Sequence, residues 1–172
     1  PIDNIKIAFN ENEIKKLIEQ RPEIRNSIIQ RTLISELNLI KEYNLHKVLN
    51  DSEKYTILSS FVSNNRFDLF LEFSEIISYS FSDSRKVDLF RQLFSKLVHA
   101  DSETLKQLLI NICKWDIPHN ISQEFYNALI QIKASDSNKA EVIMKFLRSE
   151  RYRKCIRRLL NDSQIDSLLN QP

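Results

Sequence analysis

Residues 83–112 read DSRKVDLFRQLFSKLVHADSETLKQLLINI. Two apolar series run through this stretch: Val87, Phe90, Phe94 and Leu97, then Leu105, Leu108, Leu109 and Ile112. Steps of three and four put each series on one face of an α-helix, whereas a half-buried strand would alternate in twos. Each series starts just after an Asp-Ser pair, Asp83-Ser84 or Asp101-Ser102, whose side-chain oxygens can accept the orphan N–H groups of a first helical turn. Two helices joined by so few residues lie side by side and antiparallel. The helix pair is therefore the expected building unit.

The same pattern extends in both directions. Asn10 with Glu13 reads as a capping box opening a helix to about Gln20, and Pro22 suits the first turn of the next. Ile24, Ile28, Ile29, Leu33, Leu37 and Ile40 continue one long periodic stretch until Tyr43-Asn44. Asp51-Ser52 opens a helix carrying Tyr55, Leu58, Phe61 and Val62, and Ser63-Asn64-Asn65 separates it from one carrying Phe67, Phe70, Leu71, Ile76 and Ile77. Trp115-Asp116-Ile117-Pro118 is a connector, because proline disfavours αR in the residue before it. Asn120 with Gln123 and Asn138 with Glu141 read as caps of the next two helices, Arg148 to Leu160 continues or follows them, and Asn161 with Gln164 opens a last short helix. About nine helices result.

The chain of 172 residues contains no glycine. That excludes the Walker P-loop, the dinucleotide fingerprint and the Gly-x-Ser-x-Gly elbow, each of which needs a residue without Cβ. It also disfavours tight type I′ and II′ hairpins. Helix ends must terminate without the usual glycine, and Asn44, Asn64, Asn65 and Asn161 are the expected left-handed positions. Hydrophobic residues make up 42% and charged residues 28%, the balance of a soluble chain with a real core. No apolar run approaches a membrane span, and a single domain over residues 1–172 is expected. Pro1 in place of Met points to a segment of a longer protein.

Three helix pairs begin near Ser52, Ser84 and Ser122. Such spacing is that of stacked helix-pair repeats, with an irregular helical bundle as the alternative architecture. The stretch from Thr56-Ile57-Leu58 to Asn64-Asn65-Arg66-Phe67 faintly resembles an ankyrin repeat, although the Pro, His and inter-helix Gly of that family are replaced.

Charge is unevenly distributed. Between positions 145 and 158 lie Lys145, Arg148, Arg151, Arg153, Lys154, Arg157 and Arg158 against the single acid Glu150, while the whole chain carries only +2. On a helical wheel Tyr152, Cys155, Ile156, Leu159 and Leu160 share a sector opposite most of these cations, which predicts one amphipathic basic helix. The candidate partner-binding residues are these seven cations together with Trp115, whose alternative role is to plug the core. The Phe67, Phe70 and Phe73 series, with Phe61, Phe81, Phe90 and Phe94, is expected to be core.

Cys113 and Cys155 are expected as reduced thiols on apolar helix faces, which fits an intracellular setting, cytoplasmic or nuclear, unless the protein is secreted as an effector. Cys113 and His119 lack a matching ligand pair, so neither metal nor cofactor is expected. His46 and His99 are expected at helix ends or on the surface. Acid pairs such as Glu72 and Glu75 read as solvated, and no Ser/His/Asp arrangement is legible, which argues against an enzyme. The expectation is an all-α, α-solenoid-like stack acting as a non-catalytic protein–protein interaction scaffold. Nucleic-acid binding through residues 145–158 is the alternative, and a membrane partner is the least favoured.

Overall fold

The computed structural model describes residues 10–34, 37–42, 44–79, 81 and 83–171. Among these there are eleven α-helices and no strand. In chain order they are α1 (Glu11–Gln20), α2 (Pro22–Ile34), α3 (Leu37–Glu42), α4 (Asp51–Ser63), α5 (Phe67–Ile76) and α6 (Asp83–Lys96). There follow α7 (Ser102–Lys114), α8 (Ser122–Ser135), α9 (Ser137–Leu147), α10 (Arg153–Leu159) and α11 (Asp162–Asn170). Short 3-10 turns at Leu45–Lys47, Leu97–His99, His119–Ile121 and Glu150–Tyr152 join or extend them.

The helices pack in two layers. One layer runs α2, α4, α6 and α8, each against the next, and the other runs α3, α5, α7 and α9. The expected all-α fold is thus observed, and its two-layer order fits the spacing of the helix pairs. At one end α1 covers α2, and at the other α11 lies across α8 and α9. The described residues of the periodic stretch from Ile24 to Ile40 lie in α2, which packs on α4, and in α3, which packs on α5, so the segment serves both layers.

A polar ladder records the repeat. Arg25 Nε donates to both carboxylate oxygens of Glu53, 28 residues away, at 2.8 and 2.7 Å. Ser59 donates to Gln92 at 2.7 Å and Arg91 to Glu124 at 2.9 Å, both 33 residues apart. Tyr126 and Ser167 meet at 2.9 Å across 41. The repeat therefore lengthens along the chain, which explains why no fixed period is legible in the sequence. The ankyrin register does not hold, since Thr56 lies inside α4 with its hydroxyl bonded to Ser52 O rather than at the start of a helix.

The layers meet in one apolar core containing Phe61, Phe67, Phe70, Phe73, Phe81, Phe90 and Phe94. Trp115 is completely buried, with ring centroids 5.4 Å from Phe90, 5.8 Å from Tyr79 and 6.2 Å from Phe81. Its Nε1 donates to Asn111 Oδ1 at 3.1 Å, which gives the buried indole a partner for its one donor. Trp115 thus presents no surface to a partner and belongs to the core.

Helix starts follow side-chain chemistry. Asn10 and Asn161 form full capping boxes with Glu13 and Gln164. Asn50 caps α4, and Asp101 caps α7 by accepting from Thr104 N at 2.7 Å. The expected caps Asn120 and Asn138 are not used. A 3-10 turn carries the chain into α8, and Asp136 caps α9 by accepting from the N–H groups of Asn138 and Lys139.

Left-handed backbone occurs at Asn44 (φ 50°) and Asn65 (φ 55°), as expected, and also at Ser78 (φ 53°) and Tyr79 (φ 55°). Asn64 and Asn161 instead keep negative φ. Several carbonyls near helix ends accept from cations elsewhere in the chain: Val98 O from Lys139 at 2.8 Å, Asp116 O from Lys86 at 3.2 Å and Gln171 O from Lys133 at 3.0 Å. Asn65 and Ser78 take the left-handed place at which glycine usually closes a helix, with Arg66 N donating to Phe61 O at 2.8 Å and Tyr79 N to Ser74 O at 3.0 Å.

A basic groove across the second layer

Residues 145–158 do not form one basic helix. α9 ends at Leu147, Ser149 is extended (φ −74°, ψ 119°), and the 3-10 turn Glu150–Tyr152 leads into α10. The break has a packing cause. Tyr152 folds back until its ring lies 5.8 Å from that of Phe146, yet residues six apart on a continuous helix point about 120° away from each other. The turn also directs Ile156 and Leu159 into the core, where both are buried.

The seven cations therefore separate into distinct roles. Lys145 pairs with Glu141 at 2.7 Å, and Arg153 pairs with Glu150. Arg158 is a structural tie: it reaches Asp116 Oδ1 at 3.1 Å and Trp115 O at 3.0 Å, and its own carbonyl accepts from His119 Nδ1 at 2.6 Å. Arg151 lies over the Tyr152 ring, 5.7 Å from its centroid. Arg148, Lys154 and Arg157 are exposed and pair with no acid among the described residues.

Three depressions meet at Ile110 on α7. One lies toward α9, with Leu109, Val142, Phe146 and Tyr152 as apolar lining and Lys106 and Lys145 on its edge. A second, of about 650 Å³, lies toward α10 between Lys114, Arg151, Lys154 and Arg158. The third lies toward α5, between Leu71, Glu75 and Gln107. Together they make a groove with an apolar floor and a mostly basic rim, Glu103 and Glu75 being the acids that line it. Lys114 is held by the Tyr79 hydroxyl at 3.0 Å and by Glu75 at 3.7 Å. The hydroxyl hydrogen bond, with help from Glu75, raises the ammonium pKa above its ordinary value, so this cation stays charged.

Sequence reasoning missed Lys106, Ile110 and Lys114. One signal was present: Ile110 is an apolar residue lying off the buried series of Leu105, Leu108, Leu109 and Ile112, and it is only partly covered in the structure.

Cys113, at the end of α7, and Cys155, in α10, are joined as a disulfide with Cα atoms 5.5 Å apart. This corrects the expectation of two reduced thiols. The two lie 42 positions apart, and only the docking of α10 beside the C-terminal end of α7 brings them together. Both are half-buried and line the second depression.

His46 lies in the first 3-10 turn with its Nδ1 buried and unpartnered. Burial, reinforced by Lys47, Lys54 and Lys15, lowers its pKa below the usual imidazole value. Among the described residues no three His, Cys, Asp or Glu side chains gather as a metal-ligand set, and no helix is long and apolar enough to cross a membrane. No protein-family model, curated protein or solved structure matches the chain.

Proposed function

We propose that the protein is a non-catalytic, solenoid-like interaction scaffold whose groove around Ile110 receives an acidic segment of a protein partner. The observation that carries this reading is the meeting of three depressions on one apolar residue beneath a basic rim. An apolar side chain of the partner would be desolvated against Ile110, Phe146 and Tyr152, while carboxylates beside it would face Lys106, Arg151 and Lys154. Burial supplies affinity, and charge complementarity supplies orientation and rate of encounter. Stacked helix pairs present extended surfaces suited to this work.

The break at Ser149 favours a protein over nucleic acid. It disperses the cations of residues 145–158 and commits Arg158 to the fold, so this segment offers no unbroken basic helix face to follow a phosphate backbone.

The test is fluorescence anisotropy with a labelled peptide carrying one Phe flanked by Glu residues, run beside single-stranded and duplex oligonucleotides at low and moderate salt. Binding of the acidic peptide should weaken with salt and fall by about tenfold in both Ile110→Glu and Lys154→Glu. Tighter binding of oligonucleotides than of the peptide would transfer the surface to nucleic acid. Peptide binding untouched by either substitution would remove the groove reading altogether.

A further inference from the structure

The disulfide lies in the wall of the basic depression, not in the core. Cys113 and Cys155 line it together with Lys114, Arg151, Lys154 and Arg158, and neither cysteine is fully buried. Arg158 is partly neutralised by Asp116 and Lys114 by Glu75, whereas Lys154 has no acidic partner among the described residues and Arg151 has only the Tyr152 ring. An anionic nucleophile approaching the sulfurs therefore enters a field of positive charge, and a thiolate formed there is stabilised by the same field.

We propose that Cys113–Cys155 is a thiol-exchange site selective for small acidic thiols of the glutathione class. The incoming thiolate forms a bond to one of the two sulfurs, the Cys113–Cys155 bond breaks, and its electron pair leaves on the other cysteine as a thiolate. The product is a mixed disulfide with the acidic thiol plus one cysteine thiolate, and no outside oxidant or reductant is required. The carboxylates of the thiol face Lys154 and Arg151, so selectivity comes from charge and not from thiol reactivity alone. The site does not depend on which macromolecule occupies the groove.

The experiment follows adduct formation by intact-protein mass spectrometry after adding glutathione, neutral 2-mercaptoethanol or cationic cysteamine to the oxidised protein. Rates are expressed per thiolate and read at low and high salt. Glutathione should exceed cysteamine by about tenfold at low salt, and the ratio should shrink at high salt and in an Arg151→Glu, Lys154→Glu double variant. The milder Lys154→Gln should reduce the ratio partway, which covers the case of a double variant that fails to fold. Equal per-thiolate rates for the three thiols, a ratio unmoved by the substitutions, or a bond inert to all three would overturn the proposal.

Discussion

Loss of the Cys113–Cys155 bond should be among the largest single perturbations this chain can suffer without touching its apolar core. The bond closes a loop with a sequence separation of 42 residues, which contains all of α8 and α9. In the chain-entropy description, a loop of that size removes about 4 kcal/mol of unfolded-state freedom. Unfolding entropy scales with length, so for 172 residues that free energy corresponds to a fall of about 11 °C in Tm.

The assay compares oxidised wild type with Cys113→Ser, Cys155→Ser protein in urea and thermal melts. Free thiols are first counted under denaturing conditions, where oxidised wild type should show none. The double variant should lose stability, and its urea dependence should steepen because an uncrosslinked denatured chain exposes more surface. Hydrogen exchange should quicken in α10, the shorter of the two helices tied by the bond, more than in α4 or α5. Two reactive thiols in the untreated protein, or a Tm change under about 2 °C on removing both cysteines, would refute the reasoning.

Three further outcomes follow from local geometry. Lys139→Met leaves Val98 O without its donor and should cost about 1.5 kcal/mol in a urea melt; an unchanged midpoint would show that water replaces the ammonium. Ser78→Gly relieves a left-handed residue at φ 53° and should stabilise by about 1 kcal/mol, whereas no gain would mean that the turn tolerates its Cβ freely. Because His46 has a depressed folded-state pKa, its contribution is complete above the unfolded imidazole value of 6.5 and is lost as pH falls through the folded value. The lowered carboxylates Asp68, Asp101, Glu124 and Glu141 lose theirs only in the acid range, below reference values of 3.8 to 4.5. A urea midpoint that declines as pH falls below about 6.5, before the carboxylates titrate, should therefore flatten in His46→Phe, and an equal slope in both proteins would exclude His46 as the cause.

Local signals located most helices and failed where distant contacts decide. Asn10 with Glu13 and Asn161 with Gln164 are complete within four residues, so their capping boxes could be read directly. The sharing of residues 24–40 between the two layers could not, because the periodicity of that stretch suits either layer and only the packing of α2 on α4 and of α3 on α5 reveals it. Tyr152 illustrates the same limit. A helical wheel gives it a consistent place beside Ile156 and Leu159, but its contact with Phe146 requires the chain to turn at Ser149. The disulfide lies furthest from local reasoning, since its geometry is created by the stack itself.

The absence of glycine links these failures to the candidate site. A chain without Gly must fix its helix ends and connectors by other means, and here Lys86, Lys133, Lys139 and Arg158 reach across the stack to carbonyls in those segments. Part of the basic charge is therefore consumed by architecture. A count of Lys and Arg along residues 145–158 overstates the surface available to a partner, because Arg158 holds the Trp115 connector while Lys145 and Arg153 pair with nearby acids. The same count misses Lys106 and Lys114, which lie in a different helix but reach the same groove. Charge reversal at Arg158 should accordingly unfold the connector as well as alter binding, whereas reversal at Lys154 should alter binding alone. A Lys154→Glu protein that melts like wild type yet has lost the acidic peptide, beside an Arg158→Glu protein that melts early, would separate the two uses of positive charge. If both variants melted like wild type, the division between structural and functional cations would fail.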